Sequence, residues 1–215
     1  MPRPDWPTAA PFIPATTSLA GLASAMDGCR GCPLWEPATR AVPGAGPADA
    51  RVVLVGEQPG DQEDLAGKPF VGPAGRLLDE VLGVVGIDRR RAYVTNAVKH
   101  FKFEQRGARR IHSKPNAAEI KICNTWLREE LEAIGPSIVV CLGATAAQSL
   151  LGPTFRITRS RGAFFETPFA PKLIATYHPS ALLRMPDEAA RERARGEFEG
   201  DLRKVAGALA QLKSP

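Results

Sequence analysis

Short β-branched runs alternate along this chain with longer stretches whose apolar residues fall at helical spacing. "ARVVLVG", closing at Gly56, is the first such run, and "AYVTN", "SIVVCLG" and "KLIATYH" are three more. Branching at Cβ crowds a helix but suits a pleated strand, and runs with no polar face predict strands covered on both sides. Each run leads to a segment of helical character. "AGRLLDEVLGVVG" begins after Pro73 and repeats apolar residues every three or four positions, while "NAAEIKICNTWLREELEAIG" follows the second run across a basic segment. "ATAAQSLLG" follows the third run directly, and "ALLRM" with a helix near 187 to 212 follows the fourth. Four strands each followed by a helix predict an α/β domain with a central four-stranded parallel sheet and helices on both faces. Upstream, Leu19, Leu22 and Met26 share one helical face, which Gly28 terminates.

Ligands of such sheets bind in the crevice beyond the carboxyl ends of the strands. Those ends read Gly56-Glu57-Gln58-Pro59-Gly60, Thr95-Asn96, Gly143 and His178-Pro179-Ser180. Taken singly, each is an ordinary turn former. Jointly they bring a carboxylate, two amides, an imidazole and a hydroxyl to one edge.

With 215 residues, 44% of them apolar, the chain has enough material for one full core. We expect a single domain over residues 18–213, preceded by an arm over 1–17 in which "MPRPDWPTAAPFIP" carries five prolines. The formal net charge of +5 is modest, but its placement is not even. Between Lys99 and Lys114 stand six basic residues (Lys99, Lys102, Arg106, Arg109, Arg110 and Lys114) against the single acid Glu104, with Phe101 and Phe103 interleaved. That composition suits a polyanion. No apolar run reaches the roughly 18 residues of a membrane span, and a cytoplasmic, monomeric protein is expected. Of the four cysteines, Cys29 and Cys32 form a C-x-x-C pair compatible with zinc, iron–sulfur or redox use, Cys123 falls on a helix, and Cys141 reads as strand core.

The motifs "GEQPG", "GKPFVGPAGRLL", "TNAVKHFKF" and "HPS" resemble signatures of the uracil-DNA glycosylase superfamily, and within it the iron–sulfur family 4 enzymes. The resemblance runs from about residue 18 to 205. "TNAVKHFKF" followed by "RRIH" is similar to the UdgX branch, which becomes covalently attached to uracil-containing DNA. That branch writes its loop KRRIH, whereas Ala108 stands here in the lysine position.

The resemblance implies a role for each strand-end residue, and chemistry agrees with most. Excision requires a base taken out of its stack and held by its edge and by a ring face. The Asn96 amide offers one donor and one acceptor to the uracil edge, and Phe70 offers a stacking face, with Gly56 beside them. Asp61 is assigned to exclusion of bulk at C5. Loss of the base leaves negative charge on uracil O2, and a donor there from His178 is worth about 2.7 to 4 kcal/mol. Glu57 stabilises the sugar cation or orients a nucleophile, with Gln58 shaping the pocket. His112 is the residue implied to bond to the sugar C1′, in a loop whose Arg109 and Arg110, together with Lys99 and Ser180, are expected to contact DNA. Preference for single strands is expected because no intercalating hairpin is evident. The resemblance also implies a [4Fe–4S] cluster on Cys29, Cys32, His100 and Cys123, a set that on residue types alone describes zinc equally well. Two other readings are consistent with the sequence: a glycosylase that turns over, with His112 touching only phosphate, and a metal-containing nucleic-acid-binding module without base chemistry.

Overall fold

The computed structural model describes residues 8–15 and 18–212. Residues 1–7 and 16–17 of the Pro-rich arm, and 213–215, lie outside the described residues. Helix α1 (Leu19–Met26) starts on Ser18, whose hydroxyl accepts the Gly21 amide at 3.2 Å. Strand β1 (Val52–Gly56) is buried throughout. The Gly- and Pro-rich stretch after it contains a short helix, α2 (Asp61–Ala66), ahead of α3 (Pro73–Val85). Strand β2 (Ala92–Asn96) leads into the basic segment, where the expected loop is replaced by an antiparallel hairpin of β3 (Phe103–Arg106) and β4 (Arg109–His112). Gly107 turns that hairpin at φ 58°, the left-handed conformation that tight hairpin turns demand.

An Asn116–Glu119 capping box opens α4 (Ala117–Ile134), and β5 (Ile138–Leu142) and α5 (Ala144–Leu151) follow. The chain closes with α6 (Ile157–Ser160), β6 (Phe164–Thr167), β7 (Ala170–Thr176), α7 (Pro179–Leu183) and α8 (Glu188–Gln211). The sheet order is β2-β1-β5-β7-β6. Its first four strands are parallel, as the alternation predicts, and β6 adds an antiparallel edge, making five strands instead of four. "FFET" escapes a pattern search because its residues alternate between exposed and half-buried and its run is short.

Residues alternate between the two faces, and each face has its own core. Leu54, Val94, Val140 and Ile174 pack against Leu78 and Leu82 of α3 and Phe198 and Leu202 of α8. Val53, Val55, Val139 and Leu173 pack against Leu127 and Leu131 of α4, with Cys141 buried among them. A third cluster joins Ala9 of the arm to Leu22, Met26, Val98 and Trp126 around the other cysteines.

One assignment fails here. Lys99, expected at the DNA surface, is only 1% exposed and ion-pairs with Glu130 of α4 at 2.6 Å. Its ammonium also donates to the Thr95 hydroxyl at 2.6 Å and the Asn96 carbonyl at 2.8 Å. Glu130 accepts from the Gly44 amide at 2.9 Å and the Tyr93 hydroxyl at 3.2 Å. A lysine this deep persists only because every donor has a partner. Lys99→Met is expected to destabilise the fold by about 3 to 5 kcal/mol in urea unfolding, since it strands a buried carboxylate. Adding Glu130→Gln should recover part of that loss; a double variant no more stable than the single would show the two charges are not coupled.

Candidate active site

At the carboxyl end of the sheet opens a cleft of about 750 Å³. Glu57, Gln58, Asp61, Phe70, Asn96, His112, His178 and Ser180 all line it. Gly56 lies behind: a Cβ there would stand 2.3 Å from Asn96 Oδ1 and 2.7 Å from Phe70 Cζ, so the bare α-carbon lets the amide and the ring approach. Phe70 itself has φ 57°, a left-handed conformation costing a bulky residue about 1 to 3 kcal/mol. Its loop is held by Glu63, whose carboxylate accepts the Gly72 amide at 2.8 Å and the Gly60 amide at 3.1 Å. Gly75 is required by the same loop, for a Cβ there would meet the Phe70 carbonyl oxygen at 1.7 Å.

Glu57 stands between two partners. The Thr145 hydroxyl donates to its Oε2, while His112 Nε2 lies 3.4 Å from its Oε1. Burial is the largest single influence and raises the carboxyl pKa, but the hydrogen bonds from His112 and Thr145, together with the charges of His112 and His178, hold the group below its ordinary value. It therefore presents a negative charge to the cleft. His112 is 48% exposed in its side chain and packs its ring 6.3 Å from Phe101.

His178 caps α7. Its Nδ1 accepts the Ser180 amide at 3.1 Å and stands 2.7 Å from the Ser180 hydroxyl. An amide can only donate, so in the neutral ring the proton sits on Nε2. Burial first, then the charges of Arg184 and His112, push the imidazole down to about 4 against an opposing pull from Glu57. The ring is a neutral donor, 6.2 Å from Phe70 and inclined to it by 28°.

The hairpin that carries His112 is anchored at both ends. Gln58 donates to the Lys102 and Ser113 carbonyls at 3.1 and 3.2 Å and accepts the Lys102 amide at 3.1 Å. Arg110, expected on DNA, instead points inward to Asp61 at 2.5 Å and Asp64 at 2.6 Å, with its guanidinium over Phe103. Asp61 is correspondingly committed to that pair at the cleft rim. Arg109 stays exposed. The carboxylates lining the cleft are thus all engaged, whereas Lys114 and Arg184, which line it too, have no acidic partner among the described residues. Lys114 and Arg184 are thus the cations of the cleft lining that no carboxylate among the described residues ties down.

Cys29, Cys32, His100 and Cys123 surround a second, small and mainly apolar cavity beside Ala9 and Trp126. Among the described residues no three His, Cys, Asp or Glu side chains converge tightly enough to hold one metal ion. The Lys99 amide donates to Cys123 Sγ at 3.1 Å and the Trp126 indole to Cys29 Sγ at 3.3 Å, the N–H···S contacts that stabilise thiolate ligands of clusters. Burial pushes the Cys32 thiol up to about 11 and Cys123 up to about 12, so deprotonation of these two needs an adjacent cation.

Sequence reasoning missed Thr145, Asp64 and Arg184, and took Lys114 only as one charge of the basic run. Of the three missed, only Arg184 carried a signal, a basic residue shortly after the His178-Pro179-Ser180 motif.

Residues 43–203 match the family described as the uracil DNA glycosylase superfamily. The chain is 38% identical over 205 residues to a type-4 uracil-DNA glycosylase of Archaeoglobus fulgidus, covering 92% of this chain and 96% of that one. It is 41% identical over 157 residues to the type-4 enzyme of Thermotoga maritima, 73% of this chain and 78% of that one. To a type-5 uracil-DNA glycosylase of Pyrobaculum aerophilum it is 32% identical over 168 residues, 69% of each. Fold, cleft and these matches agree, and the chain belongs to the uracil-DNA glycosylase superfamily.

Proposed function

We propose that this protein excises uracil from DNA and is then captured on the abasic sugar by His112. The observation that carries the reading is the placement of His112 against Glu57 at 3.4 Å, in the same cleft that Asn96 and Phe70 line. The unpartnered Lys114 and Arg184 favour a phosphodiester substrate there.

The uracil edge meets the Asn96 amide, one face of the base stacks on Phe70, and Asp61 at the rim limits the space beside C5. Breaking the C1′–N1 bond sends its electron pair to the base, and the charge arriving on O2 is met by the His178 Nε2–H. The ionised Glu57 faces the developing sugar cation. A neutral His112 nitrogen then supplies its lone pair to C1′, and the excess ring proton passes to Glu57 or to solvent. The resulting C–N bond has no good leaving group at neutral pH.

Ordinary turnover is the second reading, favoured by the printed names of the type-4 relatives. It differs only in giving the sugar cation to water. The preference for single strands stays part of the proposal, since the β3–β4 turn, Gly107-Ala108, carries no bulky apolar side chain to wedge between stacked bases. We further assign a [4Fe–4S] cluster to Cys29, Cys32, His100 and Cys123, where it would staple α1, the segment after β2 and α4 together. Bound there, it supplies positive charge that keeps the cysteines as thiolates.

With uracil-containing oligonucleotide in excess, released uracil should plateau near one per protein, alongside a heat- and detergent-resistant shifted band that His112→Ala abolishes. Continued release without a band would leave the turnover reading, and no release would sink excision itself. His178→Ala should slow excision by about two to three powers of ten. In the free protein the His178 ring resonances should stay those of neutral imidazole down to about pH 5, given a pKa near 4; protonation near pH 6.5 would contradict the donor assignment.

A further inference from the structure

We propose that Thr145 is a positioning residue that fixes which oxygen of Glu57 faces the sugar and His112. The inference rests on the excision reading above but assigns a residue that neither the motifs nor the chemistry of the base require. Thr145 is 3% exposed and sits in the first turn of α5, directly after the cleft-lining segment Leu142-Gly143-Ala144. Gly143, at φ 92°, brings that turn against His178: a Cβ there would stand 3.0 Å from the His178 Cβ. The loop is therefore seated by one catalytic side chain while its threonine holds another.

The hydroxyl donates to Glu57 Oε2. The other oxygen, Oε1, is left toward His112 Nε2. The side chain is buried with its hydroxyl on the carboxylate, so the donor is in place before substrate arrives. Without it, the carboxylate rotates freely about its last bond and the His112-facing oxygen is no longer defined. Sequence offers no hint of this, because a threonine in the first turn of a helix is unremarkable in itself.

The same contact sets an acid limit. Burial raises the Glu57 pKa, and the hydrogen bonds from His112 and Thr145, with the charges of His112 and His178, together lower it by more. The other titratable groups facing it are His112 from β4 and His178 before α7, and Asp61, Lys114 and Arg184 line the same cleft. Asp61 is neutralised by Arg110. Removing the Thr145 donor takes away one of the two bonds that favour the ionised form, so the pKa rises and protonation begins at higher pH. The ionised carboxylate is the working form; activity is then lost from the acid side first.

The test is single-turnover uracil release from a uracil-containing oligonucleotide between about pH 5 and 9, comparing wild type with Thr145→Val, Thr145→Ala and Thr145→Ser. The Val and Ala variants should lose about tenfold or more at the acid end and much less at the alkaline end, the size expected of one hydrogen bond to a charged group. Thr145→Ser should restore the wild-type profile. Val is nearly isosteric, and Ala serves if Val disturbs packing; thermal unfolding of each confirms the fold. A uniform fall at every pH, no fall, or a Ser variant no better than Val would overturn the assignment. Wild type that releases no uracil would instead overturn the excision reading, independently of Thr145.

Discussion

The buried ion pair between Lys99 and Glu130 is the constraint on which the site depends. It lies where β2 ends, and its ammonium holds the carbonyl of Asn96 at 2.8 Å. Its carboxylate reaches across to the loop at Gly44 and to Tyr93. The backbone amide of the same lysine donates to Cys123. A single residue thus fixes the strand end that presents Asn96, the α4 helix behind it and one wall of the cysteine cavity. Taking both charges out of water is costly, and only full satisfaction of the hydrogen bonds makes the arrangement tolerable. The pair contributes definition to the fold more than net stability.

Around that fixed point the cleft is assembled from two kinds of support. Asn96 is held in the parallel ladder opposite Gly56; Glu57 follows Gly56 directly, with its carbonyl accepting the Val98 amide at 2.9 Å, and His178 lies just past β7 as the cap of α7. His112 has no such ladder. Its hairpin stands outside the sheet and is tied down by Gln58 at its base and by Arg110 on Asp61 and Asp64. The charge of Arg110 is spent on this anchorage, and in the proposed reading phosphate attraction is left to Lys114, Arg184 and the exposed Arg109. Ala108, at the hairpin turn, projects no charge, and the anchoring contacts do not involve it.

The four parallel strands and their helices were legible because buried parallel strands read as unbroken β-branched runs. The strand-end residues were legible for the same reason, since the topology alone gathers Glu57, Asn96 and His178 at one edge. What stayed hidden is long-range. Nothing local to Lys99 announces Glu130, 31 residues away, so a lysine in a basic stretch reads as a surface charge. Arg110 meets Asp61 across 49 residues and so passes for a DNA contact. The hairpin was masked by charge: its exposed residues give no apolar alternation, and only Gly107 marks the turn. The short helix α2, inside a Gly- and Pro-rich stretch, was lost to the turn formers on either side.

The central claim is that His112 ends the reaction by bonding to the sugar. Peptide mapping by mass spectrometry, after reaction with a uracil-containing oligonucleotide and nuclease digestion, tests it most directly. If His112 captures the sugar, the peptide spanning Arg109 to His112 carries the added deoxyribose phosphate, with the site of attachment on the imidazole. An unmodified peptide, recovered while abasic DNA accumulates, would contradict it.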